Sequence, residues 1–371
     1  MGEPAATERY DVLVCGGGYT GLAAGLALRR TLGAYRTLAI ARRAGGERAG
    51  GDGRCFALAA ASRRLLSALG AWQHVAGAAQ DVVEIVLTDS PLDAAVRPVL
   101  LRYDNRLDDG EAAATIVPGQ ALLAGLEAAA GELDVIAGFE PSSLAVEPDA
   151  MVVSSGDGRR VRASLVVAAD GAASPVRGLA GIRTTSVRHR QTGIVTTVRH
   201  SKPHEGRAIQ HFLPAGPFAM LPLPGNRACV TWSEDAANAR RILALDEDAF
   251  LGEVARRARG FLGTLTLDGE RAGFPLTSAV ARSFTGERLA LVGDAAHSAH
   301  PIAGQGLNLA MRDVAALVQC VGDAARVGLD VGDRERVVPR HLHLGAELAE
   351  LLREVVGEAV VVVDEEDAGG A

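Results

Sequence analysis

Asp11-Val-Leu-Val-Cys15, then Gly16-Gly-Gly18-Tyr-Thr-Gly21, then the apolar run Leu22 to Leu32 follow one another without a break, and few folds accept that order. The first run has the β-branched, apolar character of a buried strand, and the last has the length of a helix. Thr37-Leu-Ala-Ile40 supplies a second strand at the distance that a βαβ crossover requires, so the glycine pattern stands in the context that gives it meaning. Gly16 permits the tight turn, Gly18 lets the backbone approach a pyrophosphate, and Gly21 lets helix lie on strand. In such folds an Asp or Glu usually ends the second strand and holds ribose hydroxyls, about 20 residues beyond the last glycine. Here that place reads Ala41-Arg42-Arg43. Either arginine reaching an adenosine phosphate or ribose would substitute for the acid; otherwise the adenosine is held loosely, and weakened dinucleotide affinity is expected.

A second segment repeats the theme far downstream. Leu289-Ala-Leu-Val292 reads as a short buried strand, followed by Gly293-Asp294 where strands of open α/β sheets meet their ligands. The Asp294 carboxylate can accept a hydrogen bond from a sugar or ribitol hydroxyl. Pro301-Ile-Ala-Gly304-Gln305-Gly306 is a stiff and then flexible turn whose glycines lack the Cβ that would keep backbone N–H groups from a flat ring. Leu307, Met311, Val314, Ala315 and Val318 recur at helical spacing, so a helix starts at that turn with its positive end toward the ligand. Strand, carboxylate, turn and helix start together read as half of a flavin site. His297 and His300 lie three apart, but without a carboxylate-rich partner pattern they read as structural or flavin-neighbouring residues, and no metal is expected.

Composition narrows the remaining classes. A chain of 371 residues that is 48% hydrophobic can bury a large core. The net charge is −7, and Lys202 is the only lysine among mostly arginine cations, with no basic block that would track a phosphate backbone. Nucleic acid is therefore not expected as a partner. Cys15, Cys55, Cys229 and Cys320 are widely spaced, as free thiols in a reducing compartment would be. The polar start, Met1 to Arg9, has no apolar signal core, and no apolar run is long enough to span a bilayer, so a cytoplasmic protein is expected. Peripheral membrane contact is compatible with that, because it needs only an exposed patch.

Between the two ligand segments the chain reads as a helix over 58–69, a strand over 82–88, a helix over 121–130 opened by Gly119-Gln120, and strands over 151–154 and 165–169 leading to Asp170-Gly171. From Thr192 to Trp232, short β-branched runs punctuated by prolines predict an antiparallel sheet inserted into the nucleotide-binding domain. Trp72 and Trp232 are expected in the core rather than against substrate.

Three separated segments, Gly16 to Gly21, Asp170-Gly171-x-x-Ser174-x-x-Arg177 and Gly293-Asp294 through Gly306, together resemble the group A flavoprotein monooxygenases with the para-hydroxybenzoate hydroxylase fold. Asp52 to Ser62 with Leu69-Gly70-Ala-Trp72, His211 to Arg227, and His300 to Asn308 resemble a narrower branch, the ubiquinone-biosynthesis hydroxylases, over roughly residues 10–340. The resemblance implies an α/β fold: an FAD-binding, Rossmann-like domain of the glutathione-reductase type with an inserted antiparallel-sheet substrate domain. The FAD domain is expected over 1–75, 101–180 and 276–330, the substrate domain over 76–100 and 181–275, and a helical segment with an acidic tail over 331–371. It also implies an FAD-dependent aromatic hydroxylase using NADPH or NADH and O2, which oxygenates a polyprenylated phenol through a flavin C4a-hydroperoxide. In that reading Gly16, Gly18 and Gly21 hold the pyrophosphate; Asp170 and Gly171 sit where flavin and nicotinamide meet; Gly293 and Asp294 bind ribitol; and Pro301, Gly304, Gln305 and Gly306 line the flavin ring. Arg42, Arg54, Gln120, Leu307 and Asn308 complete the implied cofactor contacts, and no residue is assigned as acid or base. A hydroxylase of a soluble aromatic or polyketide-like substrate is the alternative enzyme. The missing acid at Ala41 and the atypical end after Arg340 motivate a different class, a weakly active accessory subunit of a quinone-biosynthesis complex. Complex membership or a homo-oligomer fits either.

Overall fold

The computed structural model describes residues 7–33, 38–42, 53–131, 133–300 and 304–326. The expected helical segment and acidic tail after residue 330 lie outside them, as do Arg43 and Pro301.

The strand Glu8–Cys15 is the centre of the first sheet. Leu38–Arg42 runs parallel on one side and Arg160–Ala168 parallel on the other, with Asp134–Ala137 and Leu289–Leu291 continuing the parallel order outward. Val12 to Cys15 are at most 1% exposed, because helices cover one face while a second apolar layer covers the other. On the helical face Val12, Val14 and Ile40 meet Leu22, Leu26 and Leu28 of the helix Tyr19–Leu32 and Leu307, Met311, Val314 and Val318 of the helix Gln305–Arg326. On the other, Leu13 and Cys15 meet Val166, Ala168, Leu289 and Leu291. The chain leaves the central strand with neighbours on both sides running away from each other in sequence, so the crevice at its C-terminal end is the place where such sheets hold ligands.

The second sheet has nine strands around Thr184–His200, flanked by the antiparallel partners Arg227–Asp235 and Ala272–Ala281. One of its faces is closed by the helices Ala236–Leu243 and Glu247–Ala258, which pack Ile242, Phe250 and Val254 on Phe218 and Trp232. Trp232 is 2% exposed, and Trp72 packs against the first core.

Three details differ from the sequence expectation. Cys55–Ala59 is a strand paired with Ala114–Pro118, so the helix expected from residue 58 starts at Ala60. The run over 82–88 is two strands in two sheets, Gln80–Val82 and Glu84–Asp89. Val83 breaks it by donating to the Gly206 carbonyl at 2.9 Å and accepting from the Asn105 N–H at 2.9 Å. The antiparallel sheet also reaches past the expected 76–100 and 181–275 bounds: it takes in all of Val99–Asp104 and Ala272–Ala281, and then His297–Ser298, through backbone pairing.

Candidate flavin site

At the end of the central strand, Gly16 has φ +128° and donates its N–H to the Ala41 carbonyl at 3.0 Å. A Cβ there would lie 2.2 Å from the Ala169 oxygen, and one on Gly21 would lie 1.9 Å from the Gly16 oxygen. Both glycines are needed for the close passage of turn, helix and neighbouring strand. Gly18 is different: a Cβ would meet nothing within 4 Å. Gly18 is the N-cap of the helix Tyr19–Leu32, offers no side-chain cap, and the first turn carries no acid. The leading N–H groups of that helix have no intrahelical partners and stand at the positive end of its dipole. Those features fit a pyrophosphate.

The residues around this turn come from distant segments. A Cβ on Gly119 would sit 2.7 Å from the Tyr19 hydroxyl and 3.1 Å from the Arg54 carbonyl, and the Gly119 N–H donates to that carbonyl at 2.9 Å. Arg54 and Gln120, which opens the helix Gly119–Ala129, are thus brought beside the glycine turn; the Arg54 guanidinium lies 5.2 Å from the Phe274 ring of the antiparallel sheet. Ala41 is 3% exposed and its methyl belongs to the core, so no side chain there reaches a ribose. Arg42 is the last residue of its strand, opposite Ala137.

Gly293 has φ +60° and packs against Thr20 of the glycine-motif helix, where a Cβ would be 2.8 Å from the threonine hydroxyl. Its N–H donates to Asp313 Oδ2 at 2.7 Å, and the same oxygen is 2.7 Å from His297 Nε2. The Asp313 hydrogen bond holds His297 above the ordinary histidine range against the opposing pull of burial. Asp294 itself is exposed at the turn. Asp170 is placed otherwise than a ligand would be. Its carboxylate accepts from the Ser174 hydroxyl and from the Val176 N–H at 3.0 Å, capping the helix Pro175–Leu179, and burial pushes it up despite those two bonds. Gly171, at φ +87°, has open space where a Cβ would be. Arg177 ties this turn to the next one, donating to the carbonyls of Ala172 at 2.7 Å and Ala295 at 2.8 Å.

At the start of the helix Gln305–Arg326, Gly304 has φ +64° and lies against Ala57, while Gly306 faces open space. The side chains of Leu307 and Asn308 turn inward. Leu307 is 7% exposed in the first core, and Asn308 donates to the Ala57 carbonyl at 2.8 Å and accepts the Ala59 N–H at 2.9 Å. Both side chains therefore build the wall beneath the turn. Arg177, the last position of the Asp170-Gly171 motif, and Asp313 hold the segments in place; the i+19 spacing of Asp313 from Asp294 is visible only once strand and helix are packed together.

The parallel strand ends, the uncapped helix N-terminus and the glycine turns make up a dinucleotide-binding site. A family described as "FAD binding domain" matches residues 9–335. The chain is 38% identical over 336 residues to the ubiquinone hydroxylase UbiL of Rhodospirillum rubrum, covering 88% of this chain and 76% of that protein. It is 29% identical over 377 residues to the mouse mitochondrial ubiquinone biosynthesis monooxygenase COQ6, covering 88% and 79%. Among solved structures, PqsL of Pseudomonas aeruginosa in complex with 2-aminobenzoylacetate superposes with a TM-score of 0.75 at 22% identity, over 95% of this chain and 94% of that one. The chain belongs to the FAD binding domain family, and it is an FAD-dependent monooxygenase.

Proposed function

We propose that this flavoprotein hydroxylates the ring of a prenylated phenol in quinone biosynthesis, with NADPH or NADH as reductant and O2 as co-substrate. The observation that carries this is the 38% identity to a ubiquinone hydroxylase over 88% of the chain, beside a family match over residues 9–335 that takes in every segment of the site. Bound FAD, once reduced, supplies the activated oxygen. The chain's own part is to bind and orient. Gly18 and the helix behind it receive the pyrophosphate, Asp294 accepts a ribitol hydroxyl, and Gly304 to Gly306 lie along the ring. Asp313 sets the Gly293 turn, and Arg177 locks it to the Asp170–Gly171 turn. The antiparallel sheet walls the substrate side and excludes water from it.

The test is to load the purified protein with FAD, follow NAD(P)H oxidation with and without a short-chain prenylphenol, and weigh the product. Phenol-stimulated oxidation with a product one oxygen heavier is expected. Stimulation by soluble aromatics but not by prenylphenols would favour the alternative substrate class, and bound FAD with no oxygenated product would leave only an accessory role.

A further inference from the structure

Val99–Asp104 closes one side of the nine-stranded sheet, pairing with Glu84–Asp89 and turning its other edge to solvent. All six of its residues are exposed. Val99, Leu100, Leu101 and Tyr103, with Val96 before the strand and Leu107 after it, are 36–74% exposed, and a continuous apolar strip of this kind marks a contact surface. The strand is held from both ends. Asn105, itself buried, donates its N–H to the Val83 carbonyl and its Nδ2 to the Val82 carbonyl, both at 2.9 Å. At the other end Arg97 donates to the carbonyl of Arg257 in the helix Glu247–Ala258. The outward N–H and C=O groups of the edge are thus a preformed template for another strand.

An edge is guarded when its charges repel a second strand. Here Arg102 and Asp104 have opposite signs and stand two residues apart, on one face of the strand. Two copies related by a two-fold axis normal to the sheet pair antiparallel with the same face up, so the residues that meet differ in number by an even amount. An axis through Arg102 or Asp104 would set like charges opposite each other, and one through Leu101 would set Arg102 against Leu100. An axis through Tyr103 sets Arg102 against the partner's Asp104 twice and the two tyrosines against each other, the pairs that stabilise neighbouring strands. Neither charge has a tight partner to give up. Arg102 lies 3.6 Å from Glu84, whose carboxylate is already held by Arg207, and Asp104 lies 3.9 Å from Arg106 at the surface. A lipid surface is the other occupant such a strip could meet, and the backbone decides against it: in hydrocarbon the outward N–H and C=O groups would have no partners, whereas a second strand supplies them.

We propose that two copies of this chain associate edge to edge through Val99–Asp104, about a two-fold axis at Tyr103, so that their antiparallel sheets run on as one. Tyr103 stands opposite Ile85, which packs against the buried cluster of Val195, Leu223, Cys229 and Ile116. The contact therefore extends the apolar layer between the antiparallel sheet and the small sheet that contains Ala114–Pro118. It does not depend on which aromatic the enzyme takes.

Sedimentation of the FAD-loaded full chain from roughly 1 to 100 μM, a range suited to a small interface, tests this. Wild type is expected to pass from the mass of one chain to that of two, and the amides of Val99–Asp104 to become protected from hydrogen exchange as concentration rises. Arg102→Asp and Asp104→Arg each set like charges opposite one another at both crossings, and each is expected to weaken association by about tenfold or more. The double variant Arg102→Asp/Asp104→Arg is expected to restore it. Both side chains are more than half exposed, so none of these changes strips the core. A wild type that stays a single chain throughout, a dimer that survives both single variants, or one that the double variant does not recover overturns the proposal. Protection of the strand that does not vary with concentration would place another segment of this chain over it, and flotation of single chains with phosphatidylglycerol vesicles, lost in Leu101→Lys, would place a lipid surface there; either result also overturns it.

Discussion

Asp170-Gly171 follows the strand Arg160–Ala168, and Gly293-Asp294 follows its parallel neighbour Leu289–Leu291, so an Asp–Gly and a Gly–Asp pair lie side by side at the ligand end of one sheet. As sequence they look like equal candidates for a cofactor hydroxyl. In the fold they differ. The Asp170 carboxylate is drawn inward to cap the helix Pro175–Leu179, whereas Asp294 is exposed and a second acid, Asp313, takes over the internal work of holding its turn. A carboxylate beside a ligand site can thus be turned into the loop or stand out toward the ligand, and its exposure separates the two.

The largest test of that contrast is Asp170→Ala. It strips the acceptor from the buried Val176 N–H and the Ser174 hydroxyl, and should lower apoprotein stability by about 2–4 kcal/mol in denaturant titration. Asp294→Ala should change the same measurement by no more than about 0.5 kcal/mol, the usual range for an exposed position. Equal losses would erase the distinction. The order should then reverse for cofactor: Asp294→Ala is expected to weaken FAD binding about 10- to 100-fold, the equivalent of ~1.5–3 kcal/mol for a hydrogen bond to a charged group, as read by flavin fluorescence titration. Full flavin occupancy at micromolar FAD would remove Asp294 from the site.

Asp313→Asn sharpens the comparison from behind the turn. Asparagine can still accept the Gly293 N–H through its Oδ1, but it loses the charge that His297 answers. An FAD affinity loss of roughly tenfold or less is expected, about 1 kcal/mol, smaller than for Asp294→Ala because the effect passes through the loop. A larger loss than Asp294→Ala would mean that Asp313 reaches the cofactor itself.

How much of this was legible beforehand follows from where each constraint lives. The glycine turn, its helix and the second strand are readable because Gly16 and Gly21 make close backbone contacts that no other residue tolerates. The same holds for the helix after Gly306, whose apolar period matches the face buried on Tyr19–Leu32. The strand Cys55–Ala59 was hidden inside an alanine-rich stretch with helical propensity; it is extended because Ala114–Pro118 and the Asn308 amide supply its backbone partners from distant parts of the chain. Motif position places Asn308 and Asp170 at the ligand turns, but it does not say which way their polar atoms point. Asp313 is a single polar residue on an apolar helix, and only packing gives it work.

The smallest effect separates the two turns by pH. His297 titrates above its ordinary 6.5 because Asp313 favours its charged form, so the folded chain binds that proton more tightly than the unfolded one. Its contribution is complete below pH 6.5 and disappears as pH rises through the folded value. Asp170 is also raised, by burial, above its ordinary 3.8, so its contribution is complete below that value and is lost as pH rises through the folded value. Thermal unfolding of the apoprotein against pH should therefore show two declines, one that begins on the acid side and one that begins near neutral pH. His297→Gln should remove only the neutral one, worth about 1 kcal/mol or less for a partly exposed pair and on the order of 1–2 °C in a chain of this size. Asp170→Ser should remove only the acid one. If His297→Gln flattened the acid limb instead, the Gly293–Asp294 turn would depend on Asp170, and the division of labour between the two carboxylates would not hold.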